Sequence, residues 1–147
     1  MAAALVTLRE HAGDVFEARC GALMHCVSAD FVMGRGVAVG FRSRFGGVEQ
    51  LLAQRVPVGG CAHLIVPDGR LVLYLVTKAR YNDKPTYDTF GSALAAAAAL
   101  CAEKGVRQVA CPRIGCGLDR LSWPVVRGLI SKTFCESRAI AVDAYTL

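Results

Sequence analysis

The sequence predicts an α/β layered domain with a mostly parallel sheet, and three observations predict it. Apolar runs of strand length alternate along the chain with segments of helical character. Two of these runs lead through a glycine pair into a helix, at Gly34-Arg35-Gly36 and at Gly115-Cys116-Gly117. The chain has 147 residues, of which 54% are hydrophobic and 20% charged, so residues 1–147 suit one domain with a sizeable core and exclude disorder.

Leu5 to Leu8 reads as a short first strand, followed by a turn at Gly13-Asp14-Val15-Phe16 whose acid bonds locally or reaches a ligand. Ala22 to Val27 is apolar except for His25 and reads as a buried strand closed by Ser28-Ala29-Asp30. Met33-Gly34-Arg35-Gly36-Val37-Ala38 then opens a helix from Val37 to Phe45, with basic residues on its outer face. Gly46-Gly47 breaks it, and Val48 to Arg55 is a further helical segment. Ala62–Val66 and Leu71–Val76 flank Pro67-Asp68-Gly69-Arg70, where Asp-Gly signals an antiparallel hairpin. Leu71 to Val76 is apolar at every position, as in a strand covered on both faces, and it ends at Thr77-Lys78.

A polar turn, Asn82 to Thr86, precedes a helix from Thr86 to Lys104 with Gly105 as its stop. Val106 to Cys111 is a buried strand. Pro112 to Arg120 follows as a loop, and Ser122-Trp123-Pro124 opens a helix to Glu136 with Ser122 as N-cap. Ile140 to Tyr145 is the last strand.

The seven cysteines form no Cys-x-x-Cys pair, so no zinc knuckle or redox motif is written here; most sit in apolar runs as buried free thiols. No apolar stretch approaches the ~20 residues of a spanning helix. Met1 to Leu5 lacks the basic and apolar regions of a secretory signal, so a soluble intracellular protein is expected, in the nucleus, the cytoplasm or both. The net charge of +5 and pI near 9.0 are compatible with a polyanionic partner and equally with a solvated basic face.

Two glycine loops after strands suit a diphosphate, because ligands of open α/β sheets lie beyond the carboxyl ends of the strands, on backbone amides. Either loop alone reads as well as a plain turn. No Gly-x-x-x-x-Gly-Lys-Ser/Thr and no Gly-x-Gly-x-x-Gly is present, which argues against P-loop enzymes and dinucleotide dehydrogenases. Lys78 ends an apolar strand at that same sheet edge. It is a snorkelling strand-end lysine or a nucleophile, since a neutral amine is what Schiff-base chemistry uses. Asp119 lies at the lip of the second glycine loop.

On these residues the sequence resembles the macro domains of the terminal ADP-ribose protein glycohydrolase type, the O-acetyl-ADP-ribose deacetylase 1 family. The matching elements are Gly13-Asp14-Val15-Phe16, His25-Cys26-Val27-Ser28, Met33 to Ala38, Arg44 to Val48, Thr77-Lys78, Lys84-Pro85-Thr86-Tyr87, Pro112 to Leu121 and Tyr145-Thr146-Leu147. They keep the family's order over nearly the whole chain. The resemblance implies a three-layer α/β/α fold on a mixed sheet, an ADP-ribose cleft, and hydrolysis of ADP-ribose esters with Lys78 as nucleophile and Asp119 as acid–base partner. It assigns substrate contacts to Asp14 and Val15 near the adenine, to Ser28, Gly34, Arg35, Gly36 and Val37, and to Arg113, Ile114, Gly115, Cys116, Gly117 and Leu118. Leu147 would close on the ligand. No cofactor or metal is implied.

Many macro domains carry Asn-Ala-Ala-Asn where this chain has His25-Cys26-Val27-Ser28, so their asparagine-and-water mechanism does not transfer. The family's second lysine after Lys78 is Ala79 here. The partners implied are ADP-ribose and ADP-ribosylated proteins, with poly(ADP-ribose) or ADP-ribosylated nucleic acid as alternatives, no membrane, and a monomeric state. A non-catalytic reader of ADP-ribose or poly(ADP-ribose) and a hydrolase acting on ADP-ribosylated nucleic acid are the competing functions.

Overall fold

The computed structural model describes residues 6–147. Among the described residues six strands form one sheet: β1 (Leu8–Ala12), β2 (Ala22–Ser28), β3 (Cys61–Ile65), β4 (Leu71–Lys78), β5 (Gln108–Pro112) and β6 (Ala141–Thr146). Their order is β1-β6-β5-β2-β4-β3; β3 alone runs antiparallel, across the Asp68-Gly69 turn from β4. The α-helices are α1 (Val37–Phe45), α2 (Val48–Ala53), α3 (Tyr87–Glu103) and α4 (Trp123–Ile130). Among the described residues no helix is long and apolar enough to cross a membrane.

Strand alternation divides the core into two layers. Leu23, Val27, Val72, Tyr74 and Val76 face α1 and α2 around Phe41 and Leu51. Ala22, Met24, Leu71, Leu73 and Leu75 face α3 and α4 around Phe90, Leu94, Val126 and Ile130. Because β4 is covered on both faces, all its residues from Leu71 to Thr77 are buried, which is why its sequence shows no polar alternation. The fold is therefore the expected three-layer α/β/α arrangement on a mixed sheet.

Most boundaries shift by one or two residues from the sequence reading, the strand sought at Val106–Cys111 being Gln108–Pro112 and that at Ala62–Val66 being Cys61–Ile65, and three elements differ in a way that has a physical reason. The first strand begins at Leu8 and runs on to Ala12, while Leu5 lies outside the described residues. It is an edge strand with β6 as its single neighbour, so Arg9, Glu10 and His11 are tolerated where an apolar run was sought. The second helical segment stops at Ala53, with Gln54 as its cap. The last helix does not keep one pitch: α4 ends at Ile130, and Ser131–Glu136 continues as a π-helical segment that buries the adjacent Phe134 and Cys135. Ser122 stands at the N-cap position, yet its side chain caps nothing.

His25 is wholly buried, stacked on Phe41 with ring centroids 3.7 Å apart, and neither ring nitrogen has a partner. Burial pulls its pKa down to about 3. The unfolded chain, with a histidine pKa near ~6.5, takes up a proton that the folded chain refuses. Stability tied to His25 is thus complete above that value and drains as pH falls toward 3. We expect wild type to lose about 3 kcal/mol relative to His25→Met between pH 7 and pH 4.5, read from urea unfolding of both proteins. Parallel pH dependences would reject this.

Candidate active site

The chain passes from β2 to β3 and β4 on one side, then crosses by α3 to β5 and β6 on the other, so the strand order reverses at β2. Such a switch point leaves a crevice beyond the carboxyl ends of the strands. Here it is opened further because β2 and β5 pair at Ala22–Val109 and Leu23–Ala110 and then part. The β2–β4 ladder, by contrast, continues to Ser28 and Lys78. The result is a cleft of about 610 Å³, within the ordinary size of a small-molecule site.

Its walls come from three loops. The loop after β2 brings Ser28, Val32, Gly34, Arg35, Gly36 and Val37; that after β4 brings Tyr81, Asn82 and Lys84. The loop after β5 brings Arg113, Ile114, Gly115, Gly117, Leu118 and Asp119, and His25 and Cys26 form part of the floor. The two glycine loops therefore face one cavity. Among the described residues, the backbone amides of Gly115, Gly117, Leu118 and Asp119 donate to no protein group, and α1 opens the other wall with the unpaired amides of Val37 and Ala38. These are donors of the kind that hold a diphosphate.

Gly115 has φ +74°, and a Cβ there would lie 2.9 Å from Leu121 Cδ1. Gly115→Ala is expected to cost about 1–2 kcal/mol locally and to weaken ADP-ribose binding at least threefold in calorimetry. Unchanged affinity would show that the cradle does not need this glycine. Gly117 has ordinary backbone angles and open space above it, so it serves by leaving room.

Lys78 Nζ donates to Asp119 Oδ1 at 2.6 Å, with both side chains mostly shielded, 13% and 15% exposed. Asp30 lies beside them. Burial pushes its carboxyl up, but hydrogen bonds from Ser28 Oγ and from the amides of Tyr81 and Val32 outweigh that and hold it below its usual range. Asp30 thus ties the loop after β2 to the loop after β4. Cys26 also lines the cleft, but burial and the Asp119 charge push its thiol well up, so it carries no thiolate at neutral pH.

Not every expected contact residue reaches the cleft wall. Asp14 caps a 3₁₀ turn, Val15–Glu17, by accepting from the Phe16 amide, and Val15 is buried beneath it. Cys116 turns inward, its thiol donating to the Ile114 carbonyl. Leu147 is fully exposed. Arg113 lines the cleft while its guanidinium donates to Glu10 at 3.2 Å and lies over the Trp123 ring. The Trp123 indole N–H, ahead of the two arginine partners, holds the Glu10 carboxyl below the usual carboxylate range. Tyr81, Asn82 and Lys84 on the wall went unassigned in the sequence, where only the Lys84-Pro85-Thr86-Tyr87 motif pointed to the last of them.

No protein-family model matches the chain. Over 136 residues it is 43% identical to the ADP-ribose glycohydrolase OARD1 of Bos taurus and equally to that of Homo sapiens, covering 92% of this chain and 88% of each relative. The macrodomain of Thermus aquaticus DarG superposes with a TM-score of 0.84 at 25% identity, over 96% of this chain and 99% of that one. Thermosipho africanus DarTG, solved in complex with ADP-ribose, shares the fold with a TM-score of 0.82 at 22% identity, over 95% of this chain and 41% of its own.

Proposed function

The chain belongs to the macrodomain family of the ADP-ribose glycohydrolase OARD1, and from that premise we propose that it hydrolyses ester-linked ADP-ribose. The substrates are glutamate-linked ADP-ribose on proteins and O-acetyl-ADP-ribose. The observation that carries this reading is the Lys78–Asp119 pair at 2.6 Å, set in the wall of a cleft whose amide-lined loops suit a diphosphate.

At that distance Asp119 takes a proton from the Lys78 ammonium and leaves a neutral amine. The Nζ lone pair attacks C1″ of the distal ribose, and the bond to the acyl oxygen breaks, its electron pair leaving with the carboxylate. Asp119 passes its proton to solvent. Ionised again, it takes a proton from a water that attacks C1″; the C–N bond breaks, its pair returns to Nζ, and Asp119 reprotonates the amine. One ester is hydrolysed and one proton is released. The diphosphate, held on the two glycine loops, keeps C1″ in place through both halves, which is where most of the binding energy is useful.

The test is turnover on matched substrates: a glutamate-modified protein, O-acetyl-ADP-ribose and an ADP-ribosylated oligonucleotide. Release of ADP-ribose from the first two supports the ester reading. Release from the oligonucleotide alone moves the acceptor to nucleic acid, and binding of ADP-ribose with no release from any substrate makes the protein a reader.

A further inference from the structure

The segment Lys84-Pro85-Thr86-Tyr87 lies before and in the first turn of α3, and the reaction above gives it no part. Its side chains nevertheless reach both halves of the site. Lys84 Nζ donates to the Leu118 carbonyl at 2.7 Å, and the Ser122 amide donates to Tyr87 Oη at 2.9 Å. One turn further on, Thr89 Oγ1 donates to the Thr77 carbonyl at 2.8 Å. Leu118 directly precedes Asp119 and Ser122 closes the same loop, while Thr77 directly precedes Lys78.

The sheet itself cannot supply this link. Lys78 ends β4 and Asp119 follows β5, but β2 lies between them, so the two strand ends are about 10 Å apart and share no ladder bond. The anchor of the link is firm. Thr86 Oγ1 accepts from the Thr89 amide and Thr89 Oγ1 accepts from the Thr86 amide, a capping box that fixes the helix start.

We propose that residues 84–89 form a bracket that holds Asp119 against Lys78, with Lys84 and Tyr87 as positioning residues. The inference rests on the lysine–aspartate reaction proposed above. Its expected size follows from geometry: loss of one such hydrogen bond is a small change in stability, whereas a displacement of about 1 Å at a catalytic pair costs on the order of 10²-fold in rate.

Lys84→Met and Tyr87→Phe are therefore expected to lower kcat by ten- to a hundredfold, with KM and the calorimetric Kd for ADP-ribose within threefold of wild type. Lys84→Arg, which keeps a donor, should recover at least half of the lost rate. Amide hydrogen exchange at Cys116, Arg120 and Leu121, whose amides are bonded within the loop, needs no substrate and should speed up at least tenfold in both variants while the Tm stays within a few degrees. A parallel loss of affinity and rate in Lys84→Met would make Lys84 a ligand contact and overturn the bracket, as would unchanged exchange. Faster exchange in a protein that turns over no ester would uphold the bracket and fault the reaction instead.

Discussion

Lys78→Ala is expected to abolish release of ADP-ribose from a glutamate-modified protein, by about 10³-fold or more, while ADP-ribose still binds. In the proposed reaction Nζ forms the bond to C1″, and the groups beside it are poor substitutes: Cys26 is held as a thiol and Asp30 is committed to three hydrogen bonds. Alanine also leaves Asp119 without its partner beside a bound diphosphate, which works against anion binding. Lys78→Arg separates the two effects, since a guanidinium keeps the charge next to Asp119 but does not act as a nucleophile. Both variants should be inactive, with the arginine form binding ADP-ribose the more tightly. Turnover assays paired with calorimetry read this, and an active Lys78→Arg protein would remove lysine from the role of nucleophile.

Asp119→Ala acts at two points, so its effect has a signature beyond a slower rate. Loss of a positioned acid–base group costs about 10²–10⁴-fold. The second half of the reaction suffers most, because water attacking C1″ then lacks a base, whereas Lys78 can still shed its proton to solvent at raised pH. A lysyl–ribose adduct should therefore build up on incubation with substrate. Intact-protein mass spectrometry should show a gain of one ADP-ribose less one water, placed on Lys78 by peptide mapping. An unmodified mass in a slowed enzyme would mean that the ester is cleaved without a covalent stage.

Much of the site was legible in the chain because its signals are local. The apolar run Leu71 to Val76 marked a strand buried on both faces, so the polar residue ending it, Lys78, had to stand at a sheet edge. Gly34-Arg35-Gly36 and the loop from Pro112 to Arg120 each followed such a run, and both line the cleft with unpaired amides. Other features were beyond reach for the same reason. The edge strand Leu8–Ala12 is polar at three of its positions because it has one neighbour, and no local pattern records how many neighbours a strand has. Nothing near His25 in the sequence announces that Phe41 stacks on it and deprives both nitrogens of partners. Nor does position 147 declare that its side chain stands clear of the cleft wall.

The sequence by itself determined the α/β class and the two glycine loops, and through the family motifs it singled out Lys78 and Asp119 as candidates and the ligand those elements suit. These follow from periodicity, turn chemistry and residue type, all set within a few neighbouring positions. Only the tertiary structure decided that β2 lies between β4 and β5, that the strands part beyond Leu23 and Ala110 to open the cleft, and that Lys78 meets Asp119 at 2.6 Å. Strand order and register depend on pairings between distant segments, whose energies are summed over the whole sheet rather than written at any one residue. The same holds for the contacts of Lys84 and Tyr87 with the loop after β5, which join parts of the chain more than thirty residues apart.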